Sequence, residues 1–146
     1  MSLANLVKTN QLQAHNPSRD AVQRLLEAAQ RNLADAHITE ISPENRFDAT
    51  YKCIMQCAML ALWINGYRTS TSQPGHHQTA IQTLPTTIGL EKTTVIVLDA
   101  LRKQRNVTDY EGDPISDQAV IECIKQAELL HQNISAWVSK IRADLA

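Results

Sequence analysis

The chain has 146 residues, 43% hydrophobic and 20% charged, which suits one soluble domain with a single core. Its formal net charge of −1 lacks the large positive excess of a general nucleic-acid binder and leaves room only for a local basic patch. Four Gly and five Pro are sparse for an all-β chain, and three Cys without framework spacing argue against a disulfide-stapled secreted fold.

Residues 1–17 read as an N-terminal arm, a short weak helix rich in amides, ahead of a helical domain over 18–146. The first clear helix follows Asn16-Pro17. Ser18 is its N-cap, and Val22, Leu25, Leu26, Ala29, Leu33 and Ala36 form its apolar stripe. The second opens at Ser42-Pro43-Glu44, with the cap, the N1 proline and the first-turn acid in order. Phe47, Tyr51, Ile54, Met55, Ala58, Leu62 and Trp63 give it a face, and Gly66 supplies the stop. Its run CIMQCAMLALWI is apolar nearly all round, so this helix is central. Cys53 and Cys57 lie in that run and read as small buried hydrophobes.

A polar loop through Pro74-Gly75 follows, then a helix from His76 towards Ile88 that buries Ala80, Ile81 and Leu84 and is kinked or ended by Pro85. The next helix spans about 91–107, with Val95, Leu98 and Leu101 as its stripe and Ile96 and Val97 adding buried area. TTVIVL also scores as a strand, but no partner strand is evident elsewhere. After a turn at EGDP, Ser116 caps the longest helix. Val120, Ile121, Ile124, Ala127, Leu130, Ile134, Trp137, Val138 and Ile141 carry its pattern. The fold expected is all-α: an up-and-down bundle of four main helices plus a short one. No segment approaches 18 uncharged apolar residues, so no membrane association and a cytoplasmic location are expected.

Chemistry concentrates in LDALRKQRNVTDYEG. On a helix Arg102, Asn106 and Tyr110 share one face, while Arg105 and Asp109 pair on a neighbouring one. A solvated, dipole-compatible helix end explains this spacing. So does a site in which Arg forks hold a phosphate, Asn orients a neighbour and Tyr stacks or donates a hydrogen bond. Tyr is a poor general base near neutral pH, so binding is easier to support than cleavage. His76 and His77 are further candidates for anion contact, although adjacent helical residues point about 100° apart. His15, His37 and His131 read as polar-face residues. No zinc-protease, P-loop, dinucleotide or nucleophile-elbow motif occurs, and no cofactor or metal is expected.

The helical order, together with YKCIMQCAMLALWINGYR, PGHHQTAI and LDALRKQRNVTDYEG, resembles the HEPN superfamily (higher eukaryotes and prokaryotes nucleotide-binding domain) over residues 18–142. The resemblance implies a homodimer and RNA as ligand. In many members it also implies metal-independent ribonuclease activity, some being toxins paired with a nucleotidyltransferase antitoxin. The family signature is an Arg, a polar residue, three variable residues and a His. Arg105 and Asn106 match its first half, and Tyr110 stands where the His would be. With the resemblance, Arg105, Asn106 and Tyr110 are the candidate catalytic residues, Arg105 on phosphate, Asn106 positioning Arg105 or the substrate and Tyr110 stacking or donating a hydrogen bond, and acid–base chemistry is left without an owner. The alternative is a non-catalytic helical protein-interaction module. A metal- or ligand-binding bundle using His76, His77 and the cysteines ranks last.

Overall fold

A computed structural model describes residues 2–146; Met1 of the arm lies outside them. Three of the long helices begin on serine caps. Ser18, Ser42 and Ser116 each accept the N–H three residues on, from Ala21, Asn45 and Ala119, at 3.1 Å. Each hydroxyl satisfies one of the donors a helix start leaves unpaired. These caps open α2 (Arg19–Ala36), α3 (Pro43–Trp63) and α7 (Asp117–Ile141). Near the end of α2 a side chain does the same for an acceptor: Arg46 Nε donates to the Ala36 carbonyl at 2.8 Å.

Helix α3 is the axis of the bundle and packs on both α2 and α7. Eleven of its residues are buried, which is why its apolar run wraps nearly the whole circumference. Cys53, Cys57 and Cys123 are all free and buried where α3 meets α7. A hydrogen bond from the Cys57 thiol to Cys53 and burial push Cys57 well up, and burial beside Cys53 and Glu122 raises Cys123 to about 12. These thiols are packing groups.

Ahead of α2, a short helix α1 (Leu3–Lys8) leads into β1 (Leu12–Ala14), which pairs antiparallel with β2 (Tyr67–Thr69) beyond α3. The register sets Leu12 opposite Thr69 and Ala14 opposite Tyr67, and Leu12 is fully inside the core. Gly66, with φ +89°, makes the turn from α3 into β2, and its carbonyl accepts from His15 N–H at 2.8 Å. The ribbon was not expected. It consists of two three-residue strands far apart in the chain, too short to show alternation.

The expected helix from His76 to Ile88 is two helices, α4 (His76–Gln82) and α5 (Leu84–Ile88), broken at Thr83. Pro85 lies in the first turn of α5, where its missing N–H costs nothing, and there it cannot continue α4. TTVIVL is helical. It opens α6 (Lys92–Glu111), which continues four residues past the expected end to Gly112, at φ +73°. Ile96 does not add buried area as expected but is 69% exposed, because no element among the described residues covers the outward side of α6. Ile121 and Ile141 of the expected α7 stripe are exposed too, on faces of α7 turned from α3. His15 and His131 are not open polar-face residues: each has a buried Nε2 without a partner, and His15 lies edge-on to Trp63. The result is an all-α helical bundle, mostly up and down, with a small ribbon at one end. None of its helices is long and apolar enough to cross a membrane, among the described residues.

Candidate anion-binding cleft between α4 and α6

Helix α6 packs on α3, α4 and α5 and makes few contacts with α7. Leu98 and Leu101 anchor it, and they are its only buried residues. A backbone tie holds the far end: Glu44 in the first turn of α3 accepts the N–H of Ile115, just beyond the α6–α7 turn, at 3.1 Å. The side of α6 facing α3 and α4 then carries Arg102 and Arg105 where apolar residues would be usual.

Between α4 and α6 lies an open cleft of about 330 Å³, lined by Gly75, His76, His77, Gln78, Arg102, Arg105, Asn106 and Tyr110. All six side chains singled out from the sequence meet here. Tyr110 is on the helix, not in the following turn, so the 102, 106, 110 series is realised. Each step of four residues rotates the position by about 40°. The series therefore climbs from the α4 side to the outward rim, where Tyr110 is 83% exposed. His76 and His77 were expected to diverge. Both line the cleft, with rings edge to face at 4.6 Å.

The Arg105–Asp109 pair that the spacing suggests is present, and Arg105 is engaged on its inward side as well. Its guanidinium lies 5.3 Å above the ring of Tyr51, a residue of α3 that is 2% exposed. Its Nε is 2.9 Å from Asp109 Oδ2 and 3.7 Å from Asp48 Oδ1. The N–H points at neither oxygen and is left without a hydrogen bond. The contact with Asp109 is therefore Coulombic, and the buried Nε leaves the terminal nitrogens of the guanidinium for the cleft. Arg102 is more firmly held: Nε donates to Asp99 Oδ1 at 2.9 Å, and Lys103 approaches the other oxygen at 3.5 Å. Burial alone would raise the Asp99 carboxyl, but these partners more than offset it and hold it low.

Tyr51 Oη meets Nδ1 of His77 at 3.3 Å. Burial raises the phenol to about 12 despite the nearby arginines. The His77 imidazole is lowered, first by burial and then by His76, Arg105 and Arg102. Both groups are thus neutral near pH 7. Tyr51, Asp48 and Asp99 were missed as site residues. Tyr51 fits the apolar face of α3 so well that its pattern signals only core.

Among the described residues no carboxylate lines the cleft, although Asp48, Asp99 and Asp109 contact its arginines. Its wall presents two guanidinium forks, two imidazoles, two amides and a phenol, a donor-rich set suited to an anion. A second hollow of about 350 Å³ against the ribbon differs in kind. Its polar groups are spent on each other: Ser70 on Ser72 at 2.9 Å, Arg68 on Gln13 at 3.2 Å. Among the described residues no three His, Cys, Asp or Glu side chains gather into a metal-binding group. No family model, curated protein or solved structure matches the chain.

Proposed function

We propose that this chain is a HEPN-like domain that binds RNA through a phosphodiester held in the α4–α6 cleft, acting in the cytoplasm as a homodimer. The observation that carries the reading is the convergence of Arg102, Arg105, Asn106, His76 and His77 on one cleft whose lining holds no carboxylate among the described residues. Arg102 and Arg105 bind the non-bridging oxygens as planar forks. Asn106 adds an amide donor, and Tyr110 stacks on an adjoining base from the rim. Any cleavage is metal-independent: the 2′-oxygen loses its proton and bonds to the adjacent phosphorus, the bond to the 5′-oxygen breaks, and that oxygen leaves protonated, giving a 2′,3′-cyclic phosphate and a 5′-hydroxyl; a nucleotidyltransferase-type partner would make the chain the toxin-like half of a pair. Homodimerisation is supported by the outward face of α6. There Ile96, Ala100, Lys103 and Val107 are all exposed at spacings of four, three and four residues, the seam spacing of paired helices. Arg105 is turned away from that face and compensated within its own protomer, so two copies do not bring these charges together.

The test is binding and cleavage of several single-stranded RNAs in EDTA by the parent, Arg105→Ala and Tyr110→Phe. Loss of one charge-assisted contact in Arg105→Ala weakens binding by about ten- to hundredfold. It also reduces the slope of log affinity against log salt by about 0.7. Binding that Arg105→Ala leaves intact refutes the site. A parent that binds RNA without cutting it retains the binding reading and loses the nuclease.

A second reading, a non-catalytic interaction module, draws on a different surface. Exposed Leu129 lines a groove between α6 and α7, and exposed Ile141 lies with half-buried Trp137 in a neighbouring hollow on α7 itself. No RNA binding by the parent, together with a partner lost on Leu129→Asp, selects it.

A further inference from the structure

We infer that Tyr51 is a positioning residue of the cleft: its buried hydroxyl fixes His77 as a neutral imidazole that carries its proton on Nε2 and offers that N–H to the bound anion. The ligand half of this inference rests on the anion reading above. The tautomer half rests on the contact between Tyr51 and His77.

A buried hydroxyl requires an acceptor for its hydrogen. Among the described residues Tyr51 Oη has one hydrogen-bond partner, Nδ1 of His77 at 3.3 Å. If the phenol donates, Nδ1 accepts with its lone pair, and a neutral ring must then hold its proton on Nε2. The reverse arrangement, with Nδ1–H donating to Oη, strands the phenolic hydrogen in a site that is 2% exposed. The groups facing His77 agree with a neutral ring. They are Tyr51 from α3, His76 on its own helix, and Arg102 and Arg105 from α6; the last three disfavour a further positive charge. Asp99 is engaged by Arg102 and Lys103 and does not line the cleft.

With Nδ1 occupied, Nε2 is the ring nitrogen left for the cleft that His77 lines. Tyr51 also supports Arg105, whose guanidinium sits over the same ring. One buried side chain thus orders two donors on different helices, and His77 acts by hydrogen bonding, not by charge. In this tautomer His77 has no free lone pair on Nε2 and does not serve as a base in the resting protein.

The experiment is long-range imidazole ¹⁵N–¹H spectroscopy of the full chain, paired with titration by inorganic sulfate and by a single-stranded oligoribonucleotide. The parent is expected to show the Nε2–H pattern for His77 at pH 7, with a titration midpoint below the ordinary value of about 6.5. Tyr51→Phe keeps the ring and removes the hydroxyl; it is expected to mix the tautomers and weaken both probes about three- to tenfold. His77→Gln, whose amide nitrogen reaches the Nε2 position, stays within about threefold of the parent. His77→Asn, whose amide reaches only the Nδ1 position, loses about tenfold. Tyr51→Phe combined with His77→Asn loses no more than His77→Asn alone. An Nδ1–H ring in a parent that binds the probes overturns the role of Tyr51 and leaves the anion reading standing. So does a tautomer unchanged in Tyr51→Phe. A parent that binds neither probe overturns the anion reading and the ligand half of this inference with it.

Discussion

Helices α3 and α6 are of nearly equal length, 21 and 20 residues, yet α3 buries eleven side chains and α6 two. The first is held by apolar surface on almost every side. The second is held by two buried leucines, by half-buried Val95 and Val97, and by Arg105, which lies over Tyr51 and 3.7 Å from Asp48 of α3. An apolar helix earns stability and presents no chemistry. A helix with arginines on its inward side gives up that burial but keeps its charges in fixed directions. The candidate site lies where the two meet, with Tyr51 of α3 beneath Arg105 of α6.

The comparison is broken most severely from the α3 side. Ile54→Ala, at a fully buried position, is expected to cost about 2–5 kcal/mol in chemical denaturation. Leu98→Ala, one of the two anchors of α6, falls near the lower end of that range, about 2–3 kcal/mol. It also weakens anion binding, because the cleft wall loses its hold; binding at parental strength in that variant would show that the contacts of Arg105 with Tyr51 and Asp48 suffice to place α6.

Titration gives a smaller effect. His15 is lowered by burial and then by Arg68, and His77 by burial and then by His76 and the arginines. In both, the folded chain binds the proton less readily than the unfolded chain. Their stabilising contribution is full above the unfolded value of about 6.5 and is lost as pH falls from there through the lowered folded values. Stability measured between pH 7.5 and 5 should decline, and His77→Gln should flatten the decline.

Asp48→Asn tests the ion pairs themselves. Asp48 contacts Arg105 at 3.7 Å and Lys52 at 3.2 Å, both partly exposed, so the stability loss is at most about 1 kcal/mol. Anion binding should strengthen, since Arg105 loses a competing carboxylate. The smallest change is expected for Ile96→Ala on the outward face of α6, within about 0.5 kcal/mol for an isolated protomer. A larger loss that depends on protein concentration would sharpen the contrast by marking that face as paired.

Much of the fold is legible residue by residue. Ser18, Ser42 and Ser116 mark three helix starts, and Gly66 and Pro85 mark ends, because capping and proline sterics act within one turn of chain. The β-branched opening of α6 is a weaker signal, and its tertiary setting makes it a helix. The ribbon was hidden because strand pairing joins Leu12 to Thr69 across two whole helices. Exposed Ile96, Ile121 and Ile141 fit their helical stripes at the edges, and only the placement of neighbouring helices says where a stripe stops being covered.

The sequence by itself determined the helices and the spacing that puts Arg102, Asn106 and Tyr110 in series along α6. These follow from hydrogen bonding and periodicity between residues a few positions apart. Only the tertiary structure decided that His76 and His77 face that series, that Arg105 turns inward over Tyr51, and that Tyr51 reaches His77 from 26 residues away. Those contacts depend on how three helices are rotated and packed against one another, a property of the shared core that no local pattern records.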